Sequence, residues 1–205
     1  MQLASILENI VNDNSLHSKW LNTLSYMENA GAKKISASEH KEEVTLLILK
    51  HAAEEHRHAY YLKKQLAKLD ESVCKTYSNT ELLAPNHTKY YLNTLDVRVC
   101  RYLKDHFNLS GYALKFAAYR FVTYAIEVRA DELYPIYQEV LTAKASRITV
   151  KSIILEEEGH LEEMLNQLKE FSPKWEQHAQ AIIKIEQQIF NDWMIGLEEE
   201  LTSVA

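Results

Sequence analysis

Apolar residues recur at intervals of three and four through most of this chain, and few helix breakers interrupt them. Residues 1–14 open with Leu3, Ile6, Leu7, Ile10 and Val11, a helical turn or two, before Asn12-Asp-Asn-Ser15 breaks the pattern. Ser15 is then the expected cap of a first long helix whose apolar stripe holds Trp20, Leu21, Leu24, Met27 and Ile35. A second long helix runs from Val44 through Ile48, Leu62 and Leu66 to Leu69. Residues 71–88 are polar and aperiodic and form a connection. A further helix is predicted over about 89–107, stopped by Asn108-Leu-Ser-Gly111. The next is crowded with Leu114, Phe116, Tyr119, Phe121, Val122 and Ile126, and Pro135 is expected to kink or interrupt it. Ala143-Lys-Ala-Ser146 reads as a turn with Ser146 as cap, followed by a helix over about 147–170 that ends before Ser172-Pro173. An amphipathic helix over about 174–200, carrying Trp175, Ile182, Ile185, Ile189, Trp193 and Leu197, closes the chain. It is expected to pack on the other helices or on another subunit.

Composition agrees. Only 4 Gly and 3 Pro among 205 residues point to an all-α fold, and the length suits one domain spanning 1–205. The core bundle is expected over about 15–170, with the C-terminal helix outside it. No stretch is long and apolar enough to span a membrane. The N-terminal residues lack the basic start of a secretory signal, and Cys74 and Cys100 form no Cys-x-x-Cys pair. The expectation is a cytoplasmic protein without a zinc ribbon or rubredoxin module. A net charge of −6 argues against a general nucleic-acid binder.

The chemistry lies in a pattern that occurs twice. Glu54-Glu55-x-x-His58 and Glu156-Glu157-x-x-His160 each place a carboxylate and an imidazole three residues apart, on one helical face. That spacing lets both bind one metal ion. Each pair follows another Glu on an apolar stripe, Glu28 before the first and Glu127 before the second. Residues facing each other across an antiparallel hairpin lie equally far from its turn. Glu28 and Glu55 therefore predict a turn at about 38–42, whereas Ser36-Ala-Ser-Glu39, read as a capping box, would place it earlier. Glu127 and Glu157 are centred on residue 142, where the turn signal lies. Glu132 competes with Glu127, which is favoured by its place behind Tyr124 and Ile126. Glu is abundant here, so ion pairs and solvated faces are the plain alternative. Against it, a cluster of buried carboxylates is costly unless cations satisfy it.

Glu28…Glu55-x-x-His58…Glu127…Glu157-x-x-His160 resembles the ferritin-like di-iron carboxylate superfamily. The surrounding stretches, His51–His58, Ile126–Glu132 and Glu156–His160, are most similar to the tRNA-modifying hydroxylase branch (MiaE) and to rubrerythrins. The likeness covers about residues 20–170. It implies a ferritin-like four-helix bundle with a long crossover and additional helices. It implies Glu28, Glu55 and His58 at one metal and Glu127, Glu157 and His160 at the other, with Glu55 and Glu157 bridging. Two iron ions are implied, or a manganese and an iron, since this donor set suits them better than structural zinc. Glu54, Arg57, Asp131 and Glu156 are candidates to orient the ligands. His51 is either an extra ligand or a hydrogen-bonded core histidine. Gly159 is either an opening for O2 or substrate, or a packing position. Tyr60, Tyr61, Tyr119 and Tyr124 stand within a turn or two of the ligands.

The resemblance thus implies a dinuclear oxidase or hydroxylase that uses O2 on a small or carrier-bound organic substrate, with a reductase as electron donor. A tRNA substrate stays open, as does a homodimer. A ferritin-type ferroxidase and a non-enzymatic helical interaction module are the alternatives. A rubrerythrin-like peroxidase would lack its electron-transfer cysteines.

Overall fold

The computed structural model describes residues 2–69 and 74–204, so residues 71–73 of the expected connection lie outside the described part. Among the described residues the chain is all-helical, with α1 (Leu3–Asn12), α2 (Asn14–Ala37), α3 (Leu46–Leu66), α4 (Pro85–Phe107), α5 (Gly111–Ala143), α6 (Lys151–Phe171) and α7 (Trp175–Val204). A single 3-10 turn, Asn79–Glu81, precedes α4.

Several element boundaries differ from the sequence pattern for local reasons. Asp13, not Ser15, caps α2, its carboxylate accepting from the N–H groups of Ser15 and Leu16 at 2.8 and 2.9 Å. A carboxylate at that position meets two orphan donors at the positive end of the helix. The Ser36 capping box does not form: α2 continues through Ala37 and the turn follows it, as the Glu28–Glu55 pairing requires. α3 begins only at Leu46, leaving Val44 exposed, and ends at Leu66 rather than Leu69. α4 starts at Pro85, whose fixed φ and missing N–H suit a first turn. α6 starts at Lys151 behind Val150, and Ser146 does not cap it. Pro135 lies inside an uninterrupted α5. It leaves the carbonyl of Asp131 without a helical partner, and Asp131 is an exposed residue.

Two antiparallel hairpins, α2/α3 and α5/α6, form the centre. Ser25 Oγ donates to the Ala59 carbonyl at 2.7 Å across the first. Phe121 meets Phe171 edge-on at 5.4 Å across the second. Side chains then join α3 to α6 and α2 to α5, so the four helices enclose a shared interior. α1, α4 and α7 pack on its flank. There Trp20 of α2 stacks on Trp193 of α7 at 5.7 Å, and Tyr137 of α5 meets Trp20 edge-on at 6.1 Å. A buried polar knot pins α7 in place. Arg129 donates to both oxygens of Glu186 (2.9 and 2.8 Å), and Tyr91 donates to Glu186 Oε1 at 2.8 Å. α7 also comes so close to α4 that a Cβ on Gly196 would stand 2.4 Å from the His87 ring.

The interior has two apolar parts. The larger includes Leu21, Leu24, Leu62, Leu66, Leu133 and Ile153; the smaller holds Ile35, Ile48, Ala52, Tyr119 and Met164. On each of α2, α3, α5 and α6, the candidate ligands fall between residues of the two parts. A polar layer therefore sits between apolar ends, shielded along the bundle.

Candidate metal centre

All six predicted ligands converge in that layer. Ligand atoms of Glu28, Glu55, His58 and Glu157 lie within 4.8 Å of one another, and so do those of Glu55, Glu127, Glu157 and His160. Glu55 and Glu157 belong to both groups. Each sits on the helix that carries a His three residues later, facing the opposite hairpin. Glu127, Glu157, His58 and His160 are 1–3% exposed. Glu132, the competitor of Glu127, faces solvent and binds Arg129 instead.

The imidazoles are held from behind. His58 Nε2 lies 2.7 Å from Glu156 Oε2, and His160 Nε2 lies 2.8 Å from Glu54 Oε2. The first Glu of each Glu-Glu-x-x-His thus serves the His of the other. Arg57 Nη1 donates to Glu156 Oε1 at 2.5 Å and fixes that carboxylate in turn. Asp131, the fourth candidate for such a role, is exposed on α5. With Nε2 engaged, both His turn Nδ1 inward. His58 Nδ1 stands 3.0 Å from Glu157 Oε1, and His160 Nδ1 stands 3.4 Å from Glu157 Oε2 and 3.6 Å from Glu127 Oε1. None of these contacts has hydrogen-bond geometry: both Nδ1 atoms and Glu127 Oε2 are buried without a bonded partner.

Electrostatics follow from the crowding. Burial pushes the Glu55 and Glu127 carboxyls well above the usual range, and neighbouring carboxylates push them further: Glu28 for Glu55, Glu157 for Glu127. Burial also opposes charge on Glu157, but the adjacent Glu127, His160 and His58 hold it well below that range. Burial pulls His58 down, and the facing Glu157, Glu28 and Glu156 outweigh it, raising the imidazole to about 9. The cluster thus holds protons to offset its own charge. Two divalent cations would replace those protons, since four carboxylates and two neutral imidazoles balance their charge. The orphaned Nδ1 and Oε2 atoms would also gain partners, so the donor set fits a dinuclear centre.

His51 is no ligand in this arrangement. Its Nδ1 accepts from Tyr119 at 2.9 Å and its Nε2 meets Glu163 at 2.8 Å, which occupies both nitrogens. Of the singled-out tyrosines, Tyr60 is exposed and Tyr61 donates to the Thr149 carbonyl at 2.9 Å. Tyr124 is half-buried. The tyrosine that touches the cluster is Tyr134, whose buried hydroxyl donates to Glu28 Oε1. Its position seven residues after Glu127, two turns along the same face, was the available signal.

A cavity of about 320 Å³ opens on the carboxylate side, between α2, α4 and α5. Glu28, Glu55 and Glu127 line it, with Met27, Val122 and Ile126 among its apolar walls. Gly159 does not contribute: it is exposed, and a Cβ there would meet nothing within 4 Å. No helix among the described residues is long and apolar enough to cross a membrane. No family model, characterised protein or solved structure matches the chain.

Proposed function

We propose that this chain is a dinuclear metal oxidase or hydroxylase of the ferritin-like kind, acting with O2 on an organic substrate. The observation that carries the reading is the pair of ligand groups sharing Glu55 and Glu157, with His58 and His160 each presenting an unpartnered Nδ1 to them. In this reading Glu28, Glu55 and His58 hold one ion, and Glu127, Glu157 and His160 the other. Glu55 and Glu157, common to both groups, would serve both ions. Two iron ions, or manganese with iron, bound there would supply electrons to O2. The residues of the chain supply the rest. Glu54 and Glu156 hold each imidazole as the tautomer with Nδ1 free, which requires the proton on Nε2. Tyr134 holds Glu28 by one oxygen and leaves the other for an ion. The apolar ends of the bundle exclude water from the layer.

The cavity favours oxidation of an organic molecule over iron storage, because its apolar wall reaches the carboxylates directly. Iron titration distinguishes the two. After repeated ferrous additions in air, iron should saturate near two ions per chain, measured by mass spectrometry. Continued uptake into the tens would overturn the oxidase reading in favour of storage. A chain that binds no metal would leave a helical interaction module.

A further inference from the structure

The cavity beside the cluster is long. Its lining on α5 runs from Lys115 to Tyr134, about 28 Å of helix at 1.5 Å per residue. On α2 it runs from Leu24 to Ser38, about 21 Å. A volume of about 320 Å³ spread along such a length is an elongated slot rather than a round chamber.

The two ends differ. Tyr91, Leu133, Tyr134 and Trp193 close one end, and all are buried. At the other, Ala37 and Lys115 are exposed, so the slot opens there. The charges at the mouth are Lys34, Asp96 and Lys115. Lys34 is already spent: its ammonium pairs with Asp96 and donates to the Leu92 carbonyl at 2.5 Å. Among the described residues Lys115 has no such partner, and it brings a positive charge to the mouth. Glu28, Glu55 and Glu127 face the slot partway along. Glu127 lies twelve residues from Lys115, about 18 Å of helix, and seven from Tyr134.

We propose that the slot binds an unbranched alkyl chain with an anionic terminus, the terminus held outward at Lys115 and the chain running inward along the slot toward Glu28 and Glu127. This rests on the cavity being the substrate chamber of the metal site, and it names the substrate class. An elongated slot seats an extended chain along its length and fits a bulky cage-shaped molecule poorly. Its apolar wall favours methylene groups over polar ones. The anion stays in water beside Lys115, so it is never desolvated.

Calorimetric titration of the full chain, metal-free and metal-loaded, tests this with laurate, dodecanol, dodecylamine and adamantane carboxylate. Laurate should bind saturably, one per chain. Dodecanol and dodecylamine should bind more weakly, and adamantane carboxylate should not bind. Lys115→Glu should weaken laurate about ten-fold and leave dodecanol unchanged. Gly31 lines the slot, and a Cβ there meets nothing within 4 Å, so Gly31→Leu should fill the slot and abolish laurate binding. Metal content measured on the same samples keeps the two readings apart. Two ions per chain without saturable laurate binding overturns the alkyl-anion inference alone. Laurate binding that Gly31→Leu abolishes, on a chain that takes no metal, supports the inference and overturns the metal reading. Laurate binding insensitive to Gly31→Leu overturns the placement in the slot.

Discussion

His160 Nε2 lies 2.8 Å from Glu54 Oε2, a carboxylate on the opposite hairpin and one residue before a predicted ligand. Its counterpart, His58 with Glu156, spans the same gap in the other direction at 2.7 Å. Removing such a support lets the imidazole rotate and lowers its basicity. Glu54→Ala and Glu156→Ala should each weaken metal binding about 10- to 100-fold, measured by competition with a chelator. Glu54→Gln keeps an acceptor for the Nε2 proton and should lose less. Equal losses for Ala and Gln would show that the charge, not the hydrogen bond, matters.

Glu55→Ala and Glu157→Ala remove the residues common to both ligand groups. Each should abolish dinuclear binding while far-ultraviolet circular dichroism stays helical, since the apolar parts above and below are untouched. A variant that still binds two ions per chain would place the bridge elsewhere.

Tyr134→Phe deletes the hydroxyl that donates to Glu28. The metal-free protein should lose about 1 kcal/mol in urea unfolding, because a half-buried carboxylate oxygen is left without its donor. Unchanged stability would mean that water reaches Glu28 from the cavity.

His17 gives a pH signature remote from the cluster. Burial lowers its imidazole from 6.5 to about 4, and its Nε2 lies 2.6 Å from the Tyr137 hydroxyl. Between these values the unfolded chain binds the proton and the folded chain does not, so stability falls as pH drops from 6.5 toward 4. The full effect is about 3 kcal/mol. His17→Gln keeps a polar partner for Tyr137 without titrating. The gap in unfolding free energy between parent and variant should therefore shift by that amount between pH 7 and pH 4, while the titration of the carboxylate cluster cancels. A parallel pH dependence in both would remove His17 as the cause.

Gly196→Ala tests how tightly α7 is seated. The added methyl would overlap the His87 Cγ and Nδ1 at 2.4 Å, which must rotate away about χ1, and Cβ at 2.9 Å, which moves only with the backbone. A loss of about 1–3 kcal/mol is expected in urea unfolding. Its absence would show that α7 shifts freely on α4.

The sequence carried the helices and the ligand layer because both follow from spacing along single helices. Glu127 could be chosen over Glu132 from the apolar residues before it, and hairpin symmetry placed the first turn despite the competing Ser36 signal. What crosses between helices was not legible. Glu54 and Glu156 were visible as neighbours of ligands, but periodicity says nothing about which His each one reaches. Tyr134 stands as near to Glu127 in sequence as Tyr119 does, and spacing along α5 does not tell that its hydroxyl reaches Glu28 on the other hairpin. The Asp13 cap, the late start of α6 and the continuity of α5 through Pro135 turn on one hydrogen bond or one exposed carbonyl. Hydrophobic patterning does not resolve such features. Gly159, open in the sequence between access and packing, serves neither, because that side of α6 faces outward.

The exchange of carboxylates between the two Glu-Glu-x-x-His motifs also bears on how the protein matures. Neither hairpin alone holds both an imidazole and the group that orients it. A nascent chain that has made only α2 and α3 offers His58 without Glu156, and Glu54 without His160. Under the proposed function, ion capture of full strength would wait until the second hairpin has docked. Loading would then act as a proofreading step on assembly, sparing half-built chains from trapping an ion in an exposed, unselective site.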